Sequence, residues 1–228
     1  MTRLLATAVP PSACGVVVVL HGGGAQHERR ATSAAQVSVL RMRLFARAIA
    51  RAGAGRLAVY RVLNTYRGWQ KSHTPIEDAY WALREVGAKH PGLPIFLVGH
   101  SLGGRAAILA ANHPSVVGVV ALNPWLYLSD HVDLPGRRVL VVHGDQDRVA
   151  DPQRAYFVAR ALSHTTRVTF HVVRGGNHSM LTSRHVFTQL TNQFVLKTLA
   201  DPPDRLEVPG LSHFSGPLRG AVDRGHWG

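Results

Sequence analysis

A single cysteine, Cys14, rules out an internal disulfide, so packing and hydrogen bonds must hold the fold. Acidic side chains are scarce: 13 Asp and Glu stand against 26 Lys and Arg, a formal net charge of +13 over 228 residues. Lysine is scarce as well, present only at 71, 89 and 197. Long apolar runs are missing. Stretches such as Val16–Leu20 fall far short of the roughly 20 residues a membrane span requires. The segment with Arg3, Leu4 and Leu5 ahead of Ala13-Cys14 imitates a secretory signal, but Pro10 and Pro11 interrupt it. Its apolar part is shorter than the roughly 7–15 residues of such a signal. An unprocessed, cytoplasmic protein is the expectation.

The basic excess raises the question of a nucleic-acid or anionic-membrane partner. The arginines are scattered singly, with Arg29-Arg30 and Arg137-Arg138 the densest spots, and no helix-turn-helix, zinc-finger or RNA-binding signature accompanies them. They read as a solvated surface, with no nucleic-acid partner. The 14 histidines show no paired metal spacing such as H-E-x-x-H, and His27-Glu28 stands alone as a loop pair, so neither a metal nor a cofactor is expected.

What the chain does have is apolar content of 46%, spread evenly, which fits one medium domain and excludes collagen-like, coiled-coil and disordered classes. Short runs rich in Val, Leu and Ile occur at Gly15–Leu20, Arg56–Arg61, Ile95–Gly99, Val116–Leu122, Val139–His143 and Val168–Val173. Unbroken apolarity of this kind marks strands buried on both faces. Thr2–Val9 reads as an added edge strand. Amphipathic segments alternate with these runs, which predicts an α/β fold, a mostly parallel sheet of about six or seven strands with helices on both faces.

Ser33 with Gln36 reads as a capping box ahead of a stripe of Val37, Leu40, Leu44, Phe45, Ala48 and Ile49, with Arg43, Arg47 and Arg51 facing solvent. Thr74-Pro75-Ile76-Glu77 and Asp151-Pro152 open two further helices. Val186, Phe187, Leu190 and Phe194 line the inner face of the last one. The domain is expected to span 1–200. Residues 201–228, rich in glycine, proline and charge without periodicity, read as a flexible tail.

The strongest chemical signal is Gly99-His100-Ser101-Leu102-Gly103, set between the strand Ile95–Gly99 and a helix running to Asn112. A Gly-x-Ser-x-Gly turn in that context puts the serine on a tight corner, where a side chain at either glycine would collide with neighbouring backbone. The corner lifts the hydroxyl to the N-terminus of a helix, whose dipole and free N–H groups favour developing negative charge. A hydroxyl needs a base and an acid to orient that base. The strand Val139–His143 leads into Asp145 and Asp147, and Val168–Val173 leads into His178, so both arrive at the sheet edge that carries Ser101. His21-Gly22-Gly23-Gly24 follows the first core strand at that same edge, and consecutive glycines can turn N–H groups toward an oxyanion.

These segments, in this order, resemble the α/β-hydrolase family over residues 9–200. The similarity is nearest to small, lidless bacterial serine esterases and lipases related to dienelactone hydrolases. It implies that Ser101 is the nucleophile, His178 the general base and Asp147 the orienting acid, with Asp145 the alternative for the acid. It implies an oxyanion hole from the N–H groups of Gly23 and Leu102, with Gly24 a third candidate. Dienelactone hydrolases proper use cysteine where this chain has Ser101, so that activity is not expected. Only Asn123 to Gly136 separates two core strands where relatives insert a cap domain, so none is expected here.

The activity so implied is hydrolysis of a small carboxylic ester or thioester without a cofactor. Acyl transfer or cyclisation through the same acyl-enzyme, and ligand binding on a hydrolase scaffold, stand as alternatives. Loops 64–69 and 123–127 should reach the same edge, where Trp69, Trp125 and Tyr127 could line an acyl pocket and Arg67 could meet an anionic group.

Overall fold

The computed structural model describes residues 1–24, 30–69, 74–203 and 209–215, the side chains of 212–215 excepted. The pair His27-Glu28 lies outside the described residues, as does Arg29. In chain order the elements are β1 (Arg3–Ala8), β2 (Gly15–Leu20), α1 (Val37–Gly53), β3 (Leu57–Leu63), α2 (Thr74–Lys89), β4 (Ile95–His100), α3 (Leu102–Leu109), β5 (Val116–Leu122), β6 (Arg138–Gly144), α4 (Pro152–Leu162), β7 (Arg167–Val173), α5 (Arg184–Ala200) and β8 (Gly210–Ser215).

The strands form one sheet in the order β1-β3-β2-β4-β5-β6-β7-β8. Only β1 is antiparallel to its neighbour; every other pairing is parallel. The described sheet therefore has eight strands rather than six or seven. The extra one, β8, comes from the stretch read as tail. It hydrogen-bonds β7 at the sheet edge, with Leu211 packed against the core.

Alternation along β2 shows how the layers assemble. Val16, Val18 and Leu20 pack with Ala79, Leu83 and Val86 of α2, Ala106 of α3 and Val158 of α4. Val17 and Val19 face Met42, Phe45 and Ile49 of α1 and Phe187 and Val195 of α5. The strand is thus buried on both sides, as its continuous apolar run requires.

Helix α1 corrects the expected stripe. Phe45 and Ile49 are buried with Val39, Met42 and Ala46, whereas Val37, Leu40 and Leu44 are 69%, 42% and 39% exposed. Apolar residues at helical spacing occupy two adjacent stripes of this helix, and contact with the sheet selects the one through Val39 and Met42. The capping box does not form either. Gln36 is itself the N-cap, makes no side-chain cap bond, and donates instead to the Ser38 hydroxyl at 2.9 Å. By contrast, Asp151 caps α4 by accepting the Gln153 N–H at 2.9 Å.

The chain leaves β2 for β3 on one side and returns to place β4 on the other, so the sheet's switch point lies between β2 and β4. Crevices at such a point, at the carboxyl ends of the strands, receive ligands. The connection 123–137 contains no helix or strand, so it supplies no cap domain over this crevice. It is tied down by a buried ion pair. Asp130 accepts from Arg105 Nε at 2.5 Å, from Arg105 Nη2 at 2.9 Å, and from the Tyr127 N–H at 2.7 Å. The guanidinium also lies 4.1 Å and 4.6 Å from the ring centroids of Trp69 and Tyr127. Removing one partner of such a pair strands the other charge. Asp130→Ala should therefore lower the unfolding free energy by about 3–5 kcal/mol in urea denaturation. A loss below about 1 kcal/mol would mean that the two rings alone satisfy Arg105.

Candidate active site

Residue 101 is where the strand-to-helix turn is sharpest. Ser101 has φ 56° and ψ −122°, a left-handed conformation that costs a non-glycine residue about 1–3 kcal/mol. The turn admits only glycine on either side. A Cβ at Gly99 would lie 2.1 Å from the Gly103 carbonyl oxygen, and one at Gly103 would lie 2.5 Å from that of Leu20. Backbone bonds hold the corner: the Ser101 N–H donates to Leu122 at 3.0 Å, and the Ser101 carbonyl accepts from Arg105 at 3.1 Å and Trp125 at 3.2 Å.

The structure brings Ser101, His178 and Asp147 together. The Ser101 hydroxyl donates to His178 Nε2 at 3.0 Å, and His178 Nδ1–H donates to Asp147 Oδ2 at 2.8 Å. Asp145 points elsewhere, accepting the Gly175 N–H at 2.7 Å, which leaves Asp147 as the carboxylate on the imidazole.

Asp147 is closely held. Its Oδ1 accepts the N–H groups of Val149 at 2.8 Å and Ala150 at 2.9 Å. The buried His143 Nε2–H donates to the Ala150 carbonyl at 3.1 Å and lies 3.3 Å from Asp147 Oδ2. Burial alone would raise the carboxyl pKa. Hydrogen bonds from His143 and His178 outweigh it and hold Asp147 well below the usual carboxylate range.

Two residues outside the Ser101, His178 and Asp147 constellation keep the ends of the strands in place. Asn123, at φ 43°, accepts the Gly144 N–H at 2.8 Å and donates to the Asn177 carbonyl at 2.9 Å, joining β5, β6 and the His178 loop. His100 donates from Nε2 to the His178 carbonyl at 2.8 Å, with the two rings 4.9 Å apart. An asparagine before a proline at a strand end, and a histidine inside the serine turn, were the signals available for them.

The glycine loop is equally constrained. His21 is buried; its Nδ1–H donates to the Gly22 carbonyl at 2.7 Å and its Nε2 accepts the Asn64 N–H at 3.2 Å. The peptide is trans, so fixing the Gly22 carbonyl toward His21 turns the Gly23 N–H the opposite way. A Cβ on Gly23 would lie 2.1 Å from the Arg67 carbonyl and 3.0 Å from Leu102 Cδ1, which places this glycine beside the first residue of α3. Neither the Gly23 nor the Leu102 N–H has a backbone partner among the described residues. Gly24 does, donating to the Arg67 carbonyl at 2.6 Å, which removes it as a third donor.

A cavity of about 350 Å³ opens above Ser101, lined by Gly22, Gly23, Ser38, Arg41, Leu102, Trp125, Val149 and His178 among others. Trp125 takes the place expected of it. Trp69 and Tyr127 instead pack on Arg105. Arg41, which carried no signal beyond its place in an amphipathic helix, enters the cavity from α1, and burial lowers its pKa from the ordinary value. Among the described residues, no group of three or more His, Cys, Asp or Glu could hold a metal ion, and no helix is long and apolar enough to cross a membrane.

Burial pushes the His100 pKa down to about 3, helped by the nearby His178 and Arg41, and burial likewise lowers His21. Between pH 6.5 and 3 the unfolded chain binds a proton at residue 100 that the folded chain does not. The stability this neutral imidazole provides is complete above pH 6.5 and is lost as pH falls through that window. The unfolding free energy should drop by about 2–3 kcal/mol from this group between pH 7 and 4.5. Urea titrations of the wild type and His100→Gln should show the steeper pH slope in the wild type; equal slopes would contradict it.

The family described as serine aminopeptidase, S33, matches residues 11–138, more than half of the chain. Similar folds occur in the ferulic acid-bound Est1E from Butyrivibrio proteoclasticus, with a TM-score of 0.63, 17% identity, and coverage of 88% of this chain and 96% of that one. They occur also in the monoacylglycerol lipase from Paleococcus ferrophilus, with a TM-score of 0.62, 17% identity, and coverage of 86% and 98%. An alpha-beta serine hydrolase homologue from Coxiella burnetii gives 0.57, 19%, and coverage of 87% and 90%. No curated protein matches the chain by sequence.

Proposed function

The chain belongs to the serine aminopeptidase S33 family of α/β hydrolases, and from that premise we propose that it is a serine hydrolase cleaving small carboxylic esters or thioesters. The observation that carries this reading is the continuous hydrogen-bond relay Ser101–His178–Asp147 at an open cavity, 3.0 Å and 2.8 Å per link. The esterase and lipase named among similar structures lend support at the level of fold.

In the proposed reaction the Ser101 oxygen attacks the acyl carbonyl as His178 Nε2 takes its proton. Asp147 keeps the Nδ1–H tautomer in place and stabilises the imidazolium; its depressed pKa keeps it ionised throughout. The carbonyl oxygen, now anionic, accepts from the N–H groups of Gly23 and Leu102, the latter at the start of α3. His178 returns its proton to the leaving alcohol or thiol. Water, deprotonated by the same imidazole, then releases the acid and restores Ser101.

Aminopeptidase action, which the family's description suggests, fits the cavity less well. Binding a free α-ammonium group calls for a carboxylate, yet no acidic side chain lines the cavity among the described residues, and Arg41 does. Because the connection 123–137 carries no cap domain, activation by a moving lid at a lipid interface is disfavoured.

Ser101→Ala should lower kcat for para-nitrophenyl butyrate by about ten-thousand-fold or more with an unchanged thermal midpoint, and Asp147→Asn should lower kcat by a comparable factor. Ester turnover retained by Ser101→Ala would refute the assignment. Faster cleavage of aminoacyl para-nitroanilides than of esters would move the protein to the peptidase side of its family.

A further inference from the structure

Beside the cavity above Ser101 lies a second depression of about 640 Å³ that shares Gly23, Ser38 and Arg41 with it and is lined also by Arg30 and Arg67. Three guanidinium-bearing residues thus border one crevice, and no acidic side chain borders either part among the described residues.

Arg41 stands out. It lies just past the first turn of α1 and is half-buried. Its Nε is shut off from solvent with no hydrogen-bond partner, and no carboxylate pairs with it among the described residues. A half-buried guanidinium without a carboxylate partner is costly, and an anion bound in the crevice would pair with the part of the group that lines it. Three positions earlier, Ser38 accepts from Gln36 at 2.9 Å, which leaves its own hydroxyl hydrogen to donate. The start of α1 carries neither a side-chain cap nor an acidic residue in its first turn, so its dipole is uncompensated on the same side. Arg41, Ser38 and the helix start all call for a negative partner that the described residues do not provide.

We propose that Arg41 and Ser38 form an anion subsite beside Ser101, so that the substrate is an ester bearing a carboxylate or phosphate group that reaches Arg41 while its carbonyl reaches Ser101. This rests on the esterase reading and narrows its substrate class. The guanidinium takes no part in bond making. It fixes the anionic end, which orients the carbonyl over Ser101.

The test compares para-nitrophenyl butyrate with para-nitrophenyl hemiglutarate, which carries a carboxylate on the acyl side, and with 4-butyryloxybenzoate and 4-butyryloxyphenyl phosphate, which carry a carboxylate or a phosphate on the leaving side. The wild type should prefer at least one charged ester by kcat/KM. That ratio should fall at least tenfold in Arg41→Gln, be partly retained in Arg41→Lys, and shrink with added salt. Which ester is preferred identifies the anion and its side of the scissile bond. A wild-type preference for the neutral ester, or a ratio unchanged in Arg41→Gln, would overturn the proposal.

Thermal stabilisation by glutarate and by inorganic phosphate gives a readout independent of turnover. A rise in midpoint in the wild type but not in Arg41→Gln supports the subsite even if no ester is cleaved, in which case the esterase reading fails alone. Ester cleavage without anion stabilisation or charge preference sinks the subsite alone.

Discussion

The left-handed backbone of Ser101 is the constraint from which the rest of the site follows. At φ 56° and ψ −122° a serine is strained by about 1–3 kcal/mol, and hydrogen bonds to neighbouring backbone hold it there. Gly99 and Gly103 meet backbone atoms so closely that no side chain fits, and the Ser101 peptide groups are tied to β5, α3 and the loop after β5. That corner lifts the hydroxyl out of the sheet to within 3.0 Å of His178. It also ends in α3, whose first N–H groups lie beside the glycine loop after β2. The sheet's switch point supplies the opening, since β2 and β4 are neighbours whose helices depart to opposite faces.

Around this corner the charges are sorted by burial. The histidines packed most tightly, His21 and His100, are kept neutral and serve as fixed hydrogen-bonding groups that orient the Gly22 carbonyl and the His178 backbone. Asp147 is buried too, but four donors converge on it, so it remains ionised. The chain as a whole is poor in acid, at +13, and among the described residues the crevice is lined by arginine at 30, 41 and 67 and by no acidic side chain. A surplus of positive charge around a concave site raises the local concentration of anionic substrates, which fits the subsite inferred at Arg41.

Much of this was legible in the sequence, for identifiable reasons. The six core strands announced themselves because burial on both faces demands unbroken apolar runs, and the residues at their carboxyl ends then had to share one rim. The serine turn was legible because glycines flank it on both sides. Other features depend on choices the chain alone does not reveal. α1 carries two adjacent apolar stripes, and only packing on the sheet decided against Val37, Leu40 and Leu44. β8 is short, of mixed composition and paired on one side only, so it had no apolar run to betray it. Gly24 offers an oxyanion donor by sequence, but its N–H goes to the Arg67 carbonyl, and Asp145 is separated from Asp147 only by where each carboxylate points. Arg41 enters the cavity through the packing of α1, which no local pattern encodes.

In the proposed reaction one strained serine, activated by His178, is the nucleophile. Tandem mass spectrometry of the protein inactivated with a fluorophosphonate addresses it directly. The account predicts a single stoichiometric adduct on the peptide containing Ser101, formed at the rate at which activity is lost. Inactivation with the adduct on another residue, or ester turnover that survives complete modification of Ser101, would contradict it.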